Sequence, residues 1–409
     1  MKIGQMSLSE VSIRSGLLWE DVLIADMKRV NLRPDDTKLR CMWRAASHVA
    51  ELVPKRDYRK WRLMNIVECI GWLLLSSPFI LFVYNRIKLY LETSFYDKQG
   101  KVIVITGCDS GFGRDTATKL VKEGCIVIAG CFLHESLTSL KDDVGSLAHS
   151  MQTIKLDLSD DDSVDEFVAY IKKFLKDNNL NLHGLVNNAG IFAAGASEWI
   201  SKETMRRVFA VNTIAPMDLS NRMAPLLHRP FNQPGGRMVS ISSVSALVHG
   251  PMLSLYGASK AAMDNFQSAM RVETQRNFSV HLILPGGFKT PLLRPDLLRR
   301  NLQSHWDSSP ENVRRDYGET FFRTFANNWT TGVVKFADND PSKVVETIAH
   351  ALFAVYPRDR YYTGNDARTI FSILSFAPTW FQDKFLRFAN ARFFKSENGR
   401  VQMERPGGE

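Results

Sequence analysis

From Lys101 onward, short runs of β-branched and other apolar residues alternate with segments of helical length. The runs are Val102–Thr106, Ile126–Ala129, Gln152–Leu156, Gly184–Val186, Met238–Ile241 and Val280–Leu284. Each of the first five is followed by a segment long enough for an amphipathic helix, which is the pattern of βαβ units. The alternation predicts an α/β fold, with a doubly wound parallel sheet covered by helices on both faces.

Composition and charge narrow the class of protein. Hydrophobic residues make up 44% and charged residues 23% of the 409 residues, which is the composition of a globular chain and excludes disorder throughout. The net charge of +9 is spread along the sequence. This favours anionic cofactors or acidic membrane surfaces, and no nucleic-acid partner is expected. The five cysteines form no Cys-x-x-Cys pair, so neither a disulfide framework nor a metal site is expected.

The chain divides into four parts. We expect a polar N-terminal extension at 1–62, a membrane anchor segment at 63–90, the α/β domain at 100–365 and a hydrophobic or amphipathic helical extension at 366–409. Within the second part, Ile66 to Tyr84 carry one charge, Glu68. A helix of that length spans roughly 28 Å, close to the thickness of a bilayer's hydrocarbon core. This predicts a single-pass or tightly embedded segment, with a buried core helix or a surface-lying hairpin as the alternatives.

The region after Pro285 is less regular. A charged segment leads to a helix-like stretch at Pro341–Val355, and an apolar tail with interspersed bases follows from Tyr361 to Phe394. Such a tail is typical of an amphipathic element at a membrane surface. A helix that covers a substrate pocket is an equally good interpretation of the same residues.

A glycine-rich loop directly follows the first predicted strand. It reads Thr106-Gly-Cys-Asp-Ser-Gly-Phe-Gly113 and leads into a predicted helix. Gly107 permits a tight turn, Gly111 lets the backbone approach a pyrophosphate, and Gly113 allows the helix and strand to pack closely. The free N–H groups at the helix N-terminus then face the phosphates. Strand, loop and helix together predict a dinucleotide site in a Rossmann-type fold.

The end of the second predicted strand bears on the choice of dinucleotide. An acid there favours NAD, whereas a nearby base favours NADP. Cys131 occupies this position and is followed by Phe132 and Leu133. The lack of a local base in the sequence favours NAD, and NADP remains an alternative.

Further motifs follow the glycine-rich loop in a recognisable order. They are Asn187-Asn-Ala-Gly190, Val211-Asn212, Ser243, Tyr256-Gly-Ala-Ser-Lys260, Pro285-Gly286 and Thr290. With the spacing Thr-Gly-x-x-x-Gly-x-Gly, this series resembles the short-chain dehydrogenase/reductase family. The resemblance implies cofactor contacts from Gly107, Ser110, Gly111, Phe112, Gly113, Cys131, Asp157, Asn188, Ala189, Gly190, Tyr256, Lys260, Pro285, Gly286 and Thr290.

The catalytic set that the resemblance implies is Asn212, Ser243, Tyr256 and Lys260. Tyr256 and Lys260 are four residues apart and share one face of a helix. An ammonium nearby lowers the pKa of a phenol, which can then exchange a proton with an alcohol during hydride transfer. Ser243 is expected to bond the substrate oxygen together with Tyr256. By resemblance, Lys260 also holds the nicotinamide ribose and Asn212 positions a water.

Several stretches are similar to the branch of retinol, 17β-hydroxysteroid and 3-hydroxybutyrate dehydrogenases. They include Thr106–Gly113, Ala129-Gly-Cys131, Tyr256–Arg271 and Pro285-Gly-Gly-Phe288. This branch implies a membrane-associated enzyme of the endoplasmic reticulum that interconverts an alcohol and a ketone or other carbonyl on a small lipophilic substrate. A homodimer is the default assembly by resemblance. A mitochondrial 3-hydroxybutyrate-type dehydrogenase and a non-catalytic nucleotide-binding membrane protein are the alternatives.

Overall fold

The computed structural model describes residues 93–229, 235–273 and 278–391. The predicted polar extension at 1–62, the predicted anchor at 63–90 and the end of the tail from residue 392 lie outside the described residues. Among the helices of the described ranges, none combines the length and the apolar character needed to cross a bilayer.

A seven-stranded sheet forms the centre of the described structure. Its strands are β1 (Val102–Thr106), β2 (Ile126–Cys131), β3 (Met151–Lys155), β4 (Leu182–Asn187), β5 (Gly236–Ile241), β6 (Phe278–Pro285) and β7 (Arg360–Thr363). They lie in the order β3-β2-β1-β4-β5-β6-β7, and every neighbouring pair is parallel. The predicted parallel α/β sheet is confirmed, and the six predicted runs coincide with β1 to β6, except that Leu156 lies one residue beyond β3.

Helices connect the strands and cover both faces of the sheet. They are α1 (Gly111–Lys122), α2 (Ser136–Asp142), α3 (Asp161–Asp177), α4 (Lys202–Phe209), α5 (Ala215–Leu227), α6 (Ser254–Glu273), α7 (Pro295–Ser308), α8 (Glu311–Tyr317), α9 (Glu319–Phe336), α10 (Ser342–Phe353), α11 (Ser372–Leu374) and α12 (Thr379–Asn390). The predicted helix at Pro341–Val355 is confirmed as α10.

Alternation along β1 divides the core into two layers. Ile103 and Ile105 pack on one face, against α1, α2 and α10. Val102 and Val104 pack on the other face, against α3, α5 and α6. Successive side chains of a strand point to opposite faces, so a strand between two helical layers is apolar throughout, and all five residues of β1 are buried.

The sequence analysis missed β7, the strand beside β6. Its residues read Arg-Tyr-Tyr-Thr, a run too short and too polar to stand out as a strand. Tyr361 is nevertheless buried, and its hydroxyl accepts a hydrogen bond from the backbone N–H of Arg358 at 2.8 Å. Pairing with β6 therefore supplies the burial that the sequence pattern does not reveal.

The charged segment after Pro285 also differs from the prediction, because it folds into α7, α8 and α9. These helices bury a set of rings that we call the aromatic cluster: Trp199, Trp306, Phe321, Phe322, Phe325 and Trp329. Trp306 stacks on Phe322 with ring centroids 4.6 Å apart, and Trp199 meets Trp306 edge-on at 5.2 Å. The exposed faces of these helices carry the charges that made the segment look irregular.

The aromatic cluster yields a prediction about stability. Trp306 is 2% exposed, so Trp306→Ala leaves a large cavity and should lower the free energy of unfolding by about 3–5 kcal/mol. Trp380→Ala is the matched control, because Trp380 is 68% exposed and its removal should cost less than about 0.5 kcal/mol. Urea unfolding followed by circular dichroism measures both. Equal effects of the two substitutions would contradict the tight packing of the cluster.

Candidate active site

The sheet places one crevice at the carboxyl ends of its strands. The chain winds outward from β1 through β2 to β3 and then returns to place β4 on the other side of β1. Helices that leave β1 and β4 therefore diverge to opposite faces of the sheet, and a crevice opens between them. Every motif singled out in the sequence lies at or near this edge.

The glycine-rich loop turns sharply between β1 and α1. Gly107 has a φ of +72°, a left-handed conformation that glycine adopts without strain. A Cβ on Gly113 would collide with the carbonyl oxygen of Gly107, so only glycine lets α1 pack this close to the turn. Helix α1 begins at Gly111 and directs its free N–H groups into the crevice.

The motif after β4 braces this loop. The side-chain amide of Asn188 donates hydrogen bonds to the carbonyl oxygens of Thr106, at 2.9 Å, and Gly107, at 3.0 Å. In return, the Thr106 hydroxyl accepts from the backbone N–H groups of Asn188 and Ala189, both at 3.1 Å. Asn188 thus shapes the loop through its side chain.

A first cleft of about 340 Å³ runs along the glycine-rich loop. The predicted cofactor residues that line it are Gly107, Ser110, Gly111, Phe112, Asp157, Asn188, Ala189, Gly190 and Thr290. Backbone N–H groups of a helix N-terminus and an extended cleft are the features that a dinucleotide requires. The residues present therefore fit a bound dinucleotide.

The cofactor contact predicted for Cys131 differs from the structure, because the Cys131 side chain does not line this cleft. It is fully buried in the sheet core, where burial raises the pKa of its thiol to about 12. Phe132 lines the cleft in its place. A base is also nearby after all, since the Lys155 ammonium lies 4.4 Å from the Phe132 ring centroid. Pairing of β2 with β3 brings this base close, which a count along β2 alone cannot reveal.

A second cavity of about 360 Å³ adjoins the first. It contains the predicted residues Ser243, Tyr256, Lys260, Pro285 and Gly286, and it shares Phe112, Asn188, Gly190, Thr290 and Leu292 with the first cleft. Much of the remaining lining is apolar, with Phe192, Leu253, Leu293, Trp329, Val333, Phe336 and Phe371. One polar end next to the dinucleotide cleft and one apolar body characterise this cavity.

Tyr256 and Lys260 both face this polar end from α6. The Lys260 ammonium donates a hydrogen bond to the carbonyl oxygen of Ile241 at 2.9 Å and lies 6.0 Å from the centroid of the Tyr256 ring. Burial lowers the pKa of Lys260 to about 8. Two ionisable groups thus share a poorly solvated site without a direct bond between them.

The pKa of Tyr256 differs from the prediction that Lys260 lowers it. Burial raises this pKa to about 12, against the opposing effect of a hydrogen bond with Ser243. Desolvation of the phenolate dominates, and the Lys260 ammonium lies 6.0 Å from the ring centroid. The phenol therefore holds its proton at neutral pH.

Ser243 and Asn212 are held by the surrounding backbone. The Ser243 hydroxyl follows β5 and accepts from the Ser245 N–H at 3.1 Å. Asn212 lies in a π-helical turn between α4 and α5. Its oxygen accepts from the Ile191 N–H at 2.8 Å, and its amide donates to the Ile191 carbonyl at 2.9 Å and to Ser259 at 3.1 Å. The Asn212 side chain therefore braces the chain beyond β4 and does not line either cavity.

Sequence reasoning missed several cavity residues. Asp109 and Arg207 line the first cleft, whereas Phe192 and Trp329 line the second. Asp366, which also lines the second, accepts a hydrogen bond from the Gly287 N–H at 3.1 Å. Asp109 and Phe192 stand in or next to recognised motifs, and that proximity is a usable signal. The others come from distant segments, and only the fold brings them to the site.

Comparison with known proteins identifies the family. The model of the family described as short chain dehydrogenase matches residues 101–300. The chain is 35% identical to the 3beta-hydroxysteroid dehydrogenase dhs-16 of Caenorhabditis elegans, over 77% of this chain and 81% of that protein. It is 31% identical to retinol dehydrogenase 7 of Rattus norvegicus, over 78% of this chain and 98% of that protein.

The fold has counterparts among solved structures. A short-chain dehydrogenase from Streptomyces avermitilis superposes with a TM-score of 0.53 at 23% identity, over 71% of this chain and 97% of that structure. That likeness concerns the fold alone, whereas the sequence relatives set the family. The chain belongs to the short-chain dehydrogenase/reductase family, in its retinol and hydroxysteroid dehydrogenase branch, and is an NAD(P)-dependent oxidoreductase that interconverts an alcohol and a carbonyl.

Proposed function

We propose that this enzyme acts on a lipophilic ring or polyene alcohol, with Tyr256, Ser243 and Lys260 at the reacting group. One observation carries this proposal: the three polar side chains lie together in a cavity whose remaining lining is largely apolar and aromatic, with Asp366 as a further acid. The Phe192 ring lies 4.8 Å from the Tyr256 ring and 6.2 Å from the Trp329 ring, measured between centroids. A flat hydrophobic molecule with one reactive oxygen complements such a surface.

The proton chemistry follows from the position of each group. A bound nicotinamide supplies or accepts the hydride. In the direction of reduction, the Tyr256 hydroxyl donates its proton to the carbonyl oxygen, which suits a phenol that is protonated at neutral pH. The Ser243 hydroxyl donates a hydrogen bond to the same oxygen and stabilises its developing charge. In oxidation, the positive charge of Lys260 stabilises the phenolate that takes the alcohol's proton.

Two names among the relatives support the substrate class. One relative is a 3beta-hydroxysteroid dehydrogenase and the other a retinol dehydrogenase, both of which are named for hydrophobic alcohols. A short hydroxy acid would need a fixed cation for its carboxylate. Lys260 is the one Lys or Arg residue that lines the second cavity in the described residues, and it is assigned to the reacting end. The 3-hydroxybutyrate-type alternative is therefore the weaker one.

We further propose that the C-terminal helices dock on an anionic membrane. Leu374 and Leu386 attach them to Val248, while an outward group that we call the apolar face consists of Ile370, Ile373, Phe376, Trp380, Phe381 and Phe388. Phe376 is 88% and Phe388 83% exposed. Exposed bases accompany these residues, namely Arg368, Lys384 and Arg387. Apolar and aromatic side chains flanked by bases suit the surface of an anionic bilayer.

Attachment to a membrane also bears on the location of the protein in the cell. The predicted anchor lies outside the described residues, and with the apolar face it favours attachment to the endoplasmic reticulum, with the mitochondrion as the alternative. Microscopy of tagged protein distinguishes the two. The homodimer that the family resemblance implies stays a prediction.

The first functional prediction concerns Tyr256. Tyr256→Phe removes the proton donor and should lower kcat/KM by about 10²–10⁴-fold, while the affinity for the reduced cofactor stays the same. The assay follows nicotinamide absorbance with NAD and NADP offered separately against steroid, retinoid and short hydroxy-acid alcohols. Tyr170→Phe is the control, because the Tyr170 hydroxyl bonds Gln152 beside the sheet. Turnover of hydroxy acids alone, or full activity of Tyr256→Phe, would refute the proposal.

The second prediction concerns the buried charge of Lys260. Its folded pKa of about 8 lies below its ordinary value of 10.5, so between these values the unfolded chain holds more protons than the folded one. Stability therefore rises with pH across this window. The free energy of unfolding of the wild type should gain roughly 1–3 kcal/mol relative to Lys260→Met between pH 7.5 and pH 10.

Urea unfolding of both proteins at both pH values measures this change. Taking the difference between wild type and Lys260→Met removes the contributions of the titrating groups that the two proteins share. Lys172→Met, at an exposed position of α3, provides the control and should show no such change. A difference between wild type and Lys260→Met that is independent of pH would show that the buried ammonium keeps its ordinary pKa.

The third prediction concerns the apolar face. The combined substitutions Ile373→Ser, Phe376→Ser and Phe388→Ser should raise KM about tenfold for a lipid alcohol dissolved in vesicles with phosphatidylserine, because docking weakens. KM for the same alcohol on a soluble carrier should stay unchanged, as should kcat. Val272→Ser with Leu147→Ser replaces exposed apolar residues elsewhere and serves as the control. Equal KM values in vesicles for all variants would refute membrane docking by this face.

A further inference from the structure

We propose that Asp109, in the glycine-rich loop, supplies the carboxylate that selects NAD over NADP. The inference rests on the NAD(P)-dependent activity of the family and deepens the expected preference for NAD. In the usual arrangement an acid at the end of the second strand bonds the ribose hydroxyls. This chain has Cys131 there, with its thiol buried in the core, so the usual acid is missing.

The structure brings a different carboxylate to that place. One oxygen of Asp109 accepts a hydrogen bond from the Phe132 N–H at 2.9 Å, and the other accepts from the Leu133 N–H at 2.7 Å. Asp109 therefore lies against the two residues that directly follow β2. Both Asp109 and Phe132 line the first cleft, so the negative charge faces the part of the cleft where the adenosine ribose binds in this fold.

The Asp109 carboxylate can accept further hydrogen bonds from a ligand. Each carboxylate oxygen offers about two acceptor positions, and the two backbone N–H groups use one on each oxygen. The remaining positions can accept hydrogen bonds from the two ribose hydroxyls of NAD. A 2′-phosphate has no hydroxyl at that position and is itself an anion. It would be repelled by Asp109, all the more because the Asp109 side chain is only partly exposed to water.

Some bases near this part of the cleft favour a 2′-phosphate. They are Lys155, Arg114, whose guanidinium donates a hydrogen bond to the Asp109 carbonyl oxygen at 3.4 Å, and Arg207, which lines the cleft. The Lys155 ammonium donates a hydrogen bond to the Phe132 carbonyl oxygen and lies over the Phe132 ring. Lys155 is exposed and does not line the cleft, so water screens its charge more than that of Asp109. Arg114 is paired with Asp143 at 2.8 Å, and Arg207 is exposed to water. Pairing and screening therefore weaken these cations, and the Asp109 carboxylate in the cleft favours NAD.

The decisive experiment compares binding of NADH and NADPH to the full chain, measured by calorimetry without substrate. We expect wild type to bind NADH about tenfold more tightly, or better, than NADPH. Asp109→Asn should shift the ratio of the two Kd values about tenfold towards NADPH, and part of this shift should be a lower Kd for NADPH. Asp142→Asn removes a charge from an exposed position outside the cleft and should leave the ratio unchanged.

The binding data distinguish two roles of Asp109: a charge that selects the cofactor, and a side chain that only shapes the glycine-rich loop. If Asp109→Asn weakens NADH and NADPH equally, Asp109 merely positions the loop and the inference fails. Preference of wild type for NADPH would also overturn it. Failure on every lipid alcohol, together with the expected shift in binding, would reject the proposed substrate and leave Asp109 as the selecting residue.

The salt dependence of the two Kd values tests the repulsion between Asp109 and the 2′-phosphate in wild type, where no substitution can disturb folding. Raising NaCl from about 0.05 to about 0.5 M should narrow the ratio of the two Kd values if Asp109 repels the phosphate, because salt screens partly exposed charges. A ratio that widens as salt increases would show that a basic group, such as Lys155, dominates and that NADPH gains from attraction.

Discussion

The hydrogen bonds between the ends of β1 and β4 shape the edge of the sheet at which both cavities lie. The Asn188 amide ties down the carbonyl oxygens of Thr106 and Gly107, and the Thr106 hydroxyl receives two backbone N–H groups in return. Both cavities meet at this junction, since Asn188 and Gly190 line each of them. The same few bonds therefore shape the glycine-rich turn and the junction between the two cavities.

Burial shifts the pKa values of Tyr256 and Lys260 more than any direct contact between the two side chains does. Desolvation moves the pKa of Tyr256 up to about 12 and that of Lys260 down to about 8, so at neutral pH the phenol is neutral and the lysine remains largely protonated. The Lys260 ammonium is held by the Ile241 carbonyl, where its charge acts on the phenol through space. Strongly shifted pKa values of this kind cluster at functional sites.

The second cavity connects the reaction to the periphery of the molecule. Trp329 belongs to the aromatic cluster and also lines the cavity, so the packing that stabilises α7 to α9 shapes the substrate site as well. Phe371 lines the cavity too, and it directly follows Ile370 of the apolar face. Both interpretations of the tail, a pocket cover and a membrane element, therefore describe parts of one continuous segment.

Sequence alone predicted the parallel sheet, the glycine-rich loop and the polar residues Ser243, Tyr256 and Lys260 of the second cavity. Those features depend on local periodicity and on residue types at short spacings, which a linear pattern records. Tertiary structure alone decided the place of β7, the three helices with the aromatic cluster, the burial of Cys131 and the approach of Asp109 and Lys155 to Phe132. Each of these depends on contacts between segments far apart in the chain, where pairing and desolvation outweigh local preference.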